Sequence, residues 1–179
     1  MNLMPLEKFN LLKKRWEEVA PYLDDPTVFD PGLVDALRTM NAVDGLVTIW
    51  SCEGHPTETG PKRNTSGYIM FGVRDVDALI VLQRLFRNLS NLYNGQRNLV
   101  RLSMADRGDL TADKKPGGGQ AWYPVWILNF GVHFTNTRRR HIQLGQAAEN
   151  AVKGVIWEPV DFANLAQRIK EEDHDSADQ

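Results

Sequence analysis

The chain has 179 residues, of which 42% are hydrophobic and 25% are charged, so its size and composition are those of one soluble globular domain. Its 21 basic and 23 acidic residues give a net charge of −2, which excludes a histone-like or polybasic protein but allows a local basic patch. A single cysteine, Cys52, excludes an intrachain disulfide and indicates a reducing compartment. We find no signal peptide and no apolar membrane-spanning run, and therefore expect a cytoplasmic protein with no membrane partner.

Hydrophobic periodicity predicts one α+β domain over residues 1–170. The first helix, within residues 5–23, is an element that could lie at the periphery of the domain. Asp30 and Pro31 predict the N-cap and first turn of a second helix. A continuous β-prone run over Leu46–Trp50 then predicts a short buried strand.

The middle of the chain predicts a second strand over Tyr68–Val73 and a long helix capped by Asp75. A half-buried strand follows over residues 99–104. The strongest period-two pattern in the chain then predicts a strand whose core side chains include Trp126 and Phe130.

The last part of the chain predicts a helix over Arg138–Lys153 that ends at Gly154. A short strand over Val155–Trp157 and a final helix capped by Asp161 follow. The polar, acidic residues 171–179 have the composition of a disordered tail.

This order of elements favours a mainly antiparallel sheet of four to five strands with helices packed on one face, a variant of the ferredoxin-like arrangement. A helix, a strand, a long loop and a strand occur twice, each time followed by a helix. No residue-level repeat accompanies this similarity.

Two long segments without periodicity, Cys52–Gly67 and Ala105–Gln120, each connect two predicted strands. Loops of this length are uncommon in compact domains and are often functional. If the connected strands are antiparallel neighbours, we expect both loops at the same end of the sheet. That end is the predicted site.

The first of these loops opens with Cys52, Glu53, Gly54 and His55, which place a thiol, a carboxylate and an imidazole within four residues. Glycine allows a tight turn that would present these side chains together. A cysteine beside a histidine can act as a thiolate nucleophile, so Cys52, Glu53 and His55 are the candidate catalytic residues. The alternative is a buried cysteine that ends a strand, followed by solvated turn residues.

A metal site built from Cys52, His55, His133 and His141 matches no recognised zinc spacing, and we predict none. His133 is instead included among the candidate ligand-binding residues.

The densest positive run is Arg138, Arg139 and Arg140, in the first turn of a predicted helix. Cations are unfavourable at a helix N-terminus, whereas its backbone N–H groups together with guanidinium groups bind phosphate well. The predicted loops contain four further basic residues, Lys62, Arg63, Lys114 and Lys115. If these residues converge on the arginine run, the expected partner is the phosphate of a nucleotide or of RNA. The alternative is a solvated face of paired arginines.

Trp122, Tyr123 and Trp126 form an aromatic cluster at the start of the long strand. If they are exposed, they would form a stacking platform or a protein-binding patch, and Tyr123 is therefore a candidate ligand-binding residue. If they are buried, they belong to the core.

The helix Leu33–Met40, the strand Leu46–Trp50 and the motif Ser51-Cys52-Glu53-Gly54-His55 resemble a pattern in small, largely uncharacterised phage and bacterial proteins. Over about forty residues, this pattern is also similar to the wybutosine-synthesis methyltransferase family, which has Ser-Cys-Ser-Gly-Arg in this place. The first resemblance implies a phage-encoded protein, and the second implies S-adenosylmethionine as cofactor and tRNA as substrate. Glu53 and His55 depart from the methyltransferase motif.

The sequence therefore supports three hypotheses about function. The first is a small, phage-encoded binding protein for a nucleotide, a nucleotide signal or RNA, with its site at the sheet end. The second is an S-adenosylmethionine-dependent enzyme that modifies RNA. The third is an interaction module that inhibits a host enzyme through an exposed patch at Trp122 and Tyr123.

Overall fold

A computed structural model describes residues 3–54, 67–92, 100–107, 123–130 and 138–158 of the chain. The predicted final helix and the acidic tail lie outside these residues. The helices and strands are α1 Leu6–Val19, α2 Val34–Asn41, β1 Leu46–Cys52, β2 Gly67–Val73, α3 Val76–Leu92, β3 Val100–Arg107, β4 Tyr123–Phe130 and α4 Arg138–Val152. Short 3-10 turns, Ala20–Tyr22 and Pro31–Leu33, lie between α1 and α2.

The four strands form one sheet in the order β1-β2-β4-β3, and every neighbouring pair is antiparallel. The predicted α+β fold with a four-stranded antiparallel sheet is thus confirmed. The elements from β2 to α4 follow the order of the first five of the six elements of the β-α-β-β-α-β ferredoxin-like unit. The edge position beside β2, which the sixth element would fill, is taken here by β1 from the N-terminal side.

The chain contains two units of the same topology, β1-β2-α3 and β3-β4-α4. Their inner strands, β2 and β4, are antiparallel neighbours, so an approximate twofold axis perpendicular to the sheet passes between them. This symmetry reverses the second unit relative to the first. The connection from β1 to β2 therefore leaves one end of the sheet, and the connection from β3 to β4 leaves the other.

The expectation that both long loops lie at the same end of the sheet is therefore wrong. Cys52 pairs with Tyr68 at one end, which we call the Cys52 end. Arg107 pairs with Tyr123 at the opposite end, which we call the Leu46 end because β1 begins there. The loops of these two hairpins would lie at the same end only if the inner strands β2 and β4 were parallel. They are antiparallel.

One face of the sheet carries the main core, because alternating strand residues direct their side chains towards α2, α3 and α4. Strand residues of this core include Leu46, Phe71 and Phe130, the last confirming its predicted place. Trp126 packs against the same core and is only partly buried.

The opposite face carries a smaller core in which α1 packs against residues of alternate register. Phe9 and Leu12 of α1 belong to this cluster together with Val47 and Tyr123 of the sheet. The first helix therefore lies on the second face of the sheet, whereas the other three helices pack on the first.

Residues Val155–Trp157 do not form a strand, contrary to the prediction. Gly154 ends α4 with φ +80°, as predicted, and the chain then runs back along α3. The buried Asn88 amide holds this segment, since its Nδ2 donates to the carbonyls of Ala147 (3.4 Å) and Val155 (3.1 Å), and its Oδ1 accepts from Trp157 N (2.8 Å). Side-chain amides thus replace the sheet partner that a strand would need.

Candidate functional site at the Cys52 end of the sheet

The Cys52 end of the sheet is the end at which β1 and β4 finish and β2 starts. In the register, Cys52 lies opposite Tyr68 and Gly67 lies opposite Phe130. Gly67 has to be small, because a Cβ there would collide with the ring of Phe130 and lie 2.7 Å from the carbonyl oxygen of Glu53. The turn after β1 is therefore in contact with the strand next to it.

The turn after Cys52 is held by a reciprocal pair of hydrogen bonds to the segment before α2. Glu53 N donates to Asp30 Oδ2 (2.8 Å), and Gly32 N donates to the Glu53 carboxylate (3.2 Å). The sequence predicted Asp30 as the side-chain cap of a helix, but it makes no such cap bond. Its carboxylate instead fixes the direction of the chain as it leaves β1.

Cys52 and Gly54 complete this turn. The buried Gly54 has φ +85°, a conformation that favours glycine, and its N–H donates to Cys52 Sγ (3.4 Å). The thiol is half-buried and is engaged with the backbone of its own turn. Cys52, Glu53 and Gly54 thus form a hydrogen-bonded corner of the sheet.

Helix α4 also begins at the Cys52 end. Helix α3 runs from the Leu46 end to the Cys52 end, since it connects the last residue of β2 to the first of β3. Helix α4 runs antiparallel to α3. Ala147 of α4 lies beside Asn88 of α3, whereas Gly154, after α4, lies beside Arg84, which comes before Asn88 in α3.

Helix α4 also packs against the 3-10 turn Pro31–Leu33, which contains Gly32 of the clamp. The first residues of α4, Arg138–Arg140, are consequently at the same end as Cys52.

The other predicted site residues do not join this group. Tyr123 is 2% exposed and lies at the Leu46 end, seven residues along β4 from Phe130 or about 23 Å at ~3.3 Å per residue. The exposed aromatic patch expected of a host-enzyme inhibitor therefore cannot include Tyr123. The other predicted residues lie outside the described part of the chain: His55, His133, Lys62, Arg63, Lys114, Lys115 and Trp122.

A pocket of about 390 Å³ opens beside the turn and was not predicted from the sequence. Its lining comes from three separate segments, α1, residues 28–30 and the outer edge of β1, so no local motif could reveal it. Asp30 belongs both to this pocket and to the clamp on Glu53. The sequence offered only Arg15, Trp16 and Trp50 as residues suited to a binding pocket. Helical spacing assigned Trp16 to the buried face of the first helix instead.

Two charged groups of the N-terminal segment have shifted pKa values. Burial lowers the pKa of the Lys13 ammonium, and the nearby carboxylates of Asp44 and Glu17 oppose this effect. The Thr27 hydroxyl, and then its backbone N–H, donate to Asp25 and lower the pKa of that carboxyl. Lys13 donates to main-chain carbonyls and Asp25 orders an exposed turn, so both groups serve the local structure.

Comparisons with protein-family models, with curated proteins and with solved structures find no match to this chain. Within the described residues, no helix has the length and apolar character needed to cross a membrane. The same residues contain no group of three or more histidine, cysteine, aspartate and glutamate side chains placed to hold a metal ion.

Proposed function

We propose that this protein binds a phosphate-bearing ligand, a nucleotide, a nucleotide signal or RNA, at the Cys52 end of its sheet. One observation carries the proposal: the first turn of α4, with Arg138, Arg139 and Arg140, begins at the same end as the Cys52–Gly54 corner. The start of the helix that carries the arginine run and the hydrogen-bonded turn after β1, far apart in the sequence, thus lie at one end of the fold.

The charge of the α4 N-terminus supports an anionic ligand. Cations in the first turn of a helix are unfavourable, because they lie near the positive end of the helix dipole. A phosphate would reverse this effect, since it accepts hydrogen bonds from the free backbone N–H groups and from guanidinium groups together. Helix α4 has 15 residues and no acidic residue in its first turn, which suits this role.

The corner made by Cys52, Glu53 and Gly54 supports binding more than catalysis. The Glu53 carboxylate accepts from Gly32 N, and the Cys52 thiol accepts from Gly54 N. Both groups hold the turn in shape, and a preorganised turn lowers the entropic cost of ligand binding. The enzymatic hypothesis, an S-adenosylmethionine-dependent RNA methyltransferase, requires one of these groups to act on a substrate instead.

The binding proposal is tested by titrating the protein with AMP, ATP and a 12-nucleotide RNA in low salt, using calorimetry and fluorescence anisotropy. We expect measurable affinity for at least one of them. Replacing Arg138 and Arg140 together by alanine should weaken it by at least about tenfold, since charge-assisted hydrogen bonds are the strong ones. Affinity should also fall as salt is raised.

A matched control removes the same charge elsewhere. Lys14 on α1 and Lys153 after the C-terminal end of α4 are exposed and lie away from the Cys52 end, and their joint replacement by alanine should leave affinity within about twofold. Undetectable binding of all three probes, or equal losses in both double variants, would overturn the proposal. Binding of S-adenosylmethionine that is lost in Cys52→Ala would favour the enzymatic hypothesis instead.

A further inference from the structure

The pocket of about 390 Å³ beside β1 has the size of a small-molecule site, within the ~300–1,000 Å³ range of ligand pockets. One wall is α1, a second is the segment Val28–Asp30, and the floor is the outer edge of β1 from Thr48 to Ser51. The register of β1 shifts between Thr48 and Trp50, at the middle of this floor. Irregularities of this kind in strand pairing change the direction of side chains and recur beside active sites.

Side chains bond the outer edge of β1 before the pocket floor, at its first residue and beyond it, and so close this edge to another strand. Lys13 Nζ donates to the carbonyl of Leu46, and Thr48 N donates to Asn41 Oδ1 (2.9 Å). Beyond the pocket, Glu53 N donates to Asp30 Oδ2. Side chains thus occupy outward-facing backbone groups that an added strand would need. The pocket therefore suits a compact molecule and not an extended peptide.

The walls of the pocket are aromatic. Trp16 and Phe29 meet edge to face, with ring centroids 6.3 Å apart and planes at 71°. Trp50 is 48% exposed and Val28 51% exposed, although both border the pocket. Large apolar side chains left exposed around a concavity mark an interaction site, and indole rings offer flat surfaces on which a planar ring can stack.

Arg15 supplies a positive charge to this pocket. It is exposed on α1, and the described residues contain no ion-pair partner for it. Asp30, the acidic residue of the lining, already accepts the hydrogen bond from Glu53 N. An anionic group of a ligand would therefore bind at Arg15, with its ring among the aromatic side chains.

We infer that this β1 pocket binds a planar aromatic molecule that carries one anionic group. The ring packs against Trp16 and Trp50, and Arg15 binds the anion. The inference does not rest on the phosphate site proposed above, since the cations that would bind the two anions lie on different helices, Arg15 on α1 and Arg138–Arg140 on α4.

The test uses two probes of the same shape, 2-naphthylacetate and its uncharged amide, 2-naphthylacetamide. Their affinities are measured by calorimetry, and the indole N–H signals of the five tryptophans are followed in ¹⁵N-correlated NMR spectra. We expect the anion to bind at least about tenfold more tightly than the amide. The signals of Trp16 and Trp50, assigned with Trp→Phe variants, should shift most.

Matched variants separate the charge from the ring surface. Arg15→Gln should abolish the preference for the anion, whereas Lys14→Gln, which removes a neighbouring exposed cation outside the lining, should keep it. Trp50→Ala should weaken both probes by at least about tenfold, consistent with the value of aromatic stacking, and Trp50→Phe should weaken them less. Spectra of each variant establish that it is folded.

Failure of both probes to bind would overturn the inference, and so would an anion preference that survives Arg15→Gln. Shifts confined to tryptophans other than Trp16 and Trp50 would do the same. The Arg138→Ala, Arg140→Ala double variant should bind 2-naphthylacetate as the wild type does. This arm distinguishes failure of the β1 pocket from failure of the phosphate site.

Discussion

The two units β1-β2-α3 and β3-β4-α4 share one topology, yet they treat their edge strands differently. In the first unit, side chains from α1 and α2 bond the outer edge of β1, and Asp30 bonds the residue that follows it. In the second unit, the described residues supply no side-chain hydrogen bond to the outer edge of β3. Arg101 and Met104 of that strand are exposed, Met104 by 51%.

This difference shows what the N-terminal segment adds to the fold. Residues 3–45 have no counterpart in the second unit, and they provide two walls of the β1 pocket and one half of the clamp on Glu53. The topology of the two units alone would leave both edges alike. The candidate sites therefore arise where the symmetry is broken.

The largest expected effect comes from the residue that joins the two units. Asn88→Ala removes three hydrogen bonds between α3 and the residues of α4 and beyond, and leaves the polar groups of Val155 and Trp157 without those partners. We expect the free energy of unfolding in urea to fall by about 2–4 kcal/mol. Asn91→Ala, which removes one half-buried bond to Trp157, serves as control with a loss near 1 kcal/mol. Equal stability of the two variants would contradict this account.

The next effect tests the covered edge of the first unit. Asn41 is buried and bonds the carbonyl of Leu37 and both the N–H and hydroxyl of Thr48. We expect Asn41→Ala to lower the free energy of unfolding by about 2 kcal/mol. Opening the β1 edge should also promote self-association at high concentration, as light scattering would detect. A monomeric variant of wild-type stability would show that this bond does not close the edge.

A smaller effect is expected at the clamp on Glu53 in the first unit. Glu53→Ala loses the acceptor for Gly32 N and should cost about 1 kcal/mol of unfolding free energy. Glu53→Gln keeps an acceptor oxygen and should cost less than about half of that. Thermal unfolding distinguishes the two variants, and a larger loss in Glu53→Gln would exclude the clamp as the reason.

The smallest effect is electrostatic and belongs to the turn between α1 and α2. Asp25 has a lowered pKa because Thr27 donates to it, so its contribution to stability is present above the ordinary value of 3.8 and is lost as pH falls through the lowered value. We expect Thr27→Ala to raise the Asp25 pKa part of the way back, measured by NMR of the carboxyl carbon. Thr27→Ser keeps the hydroxyl and should keep the lowered pKa.

Local pattern was sufficient for the four strands and four α-helices that the structure describes, because a period of two or 3.6 is read from neighbouring residues. Phe130 shows this, since alternation alone places it in the core. Asp75 shows it for a helix start, where Ala78 N donates to its carboxylate as the capping pattern predicts.

The arrangement of the site could not be read in that way. The end at which each loop lies depends on the antiparallel pairing of β2 with β4, strands separated by two other elements. Asp30 has the sequence of a helix cap, but Glu53 N, 23 residues later, takes its carboxylate. Val155–Trp157 has strand-forming side chains, but its backbone bonds the side-chain amides of the distant Asn88 and Asn91 and not a strand.

The antiparallel seam between β2 and β4 has a consequence for how the chain can be divided. Two strands related by a twofold axis make the self-complementary contact through which identical subunits form dimers. A cut between α3 and β3 leaves each hairpin with its own helix, and leaves the N-terminal helices with the first part. The two parts, expressed as separate polypeptides, are expected to reassemble through this seam into a split protein.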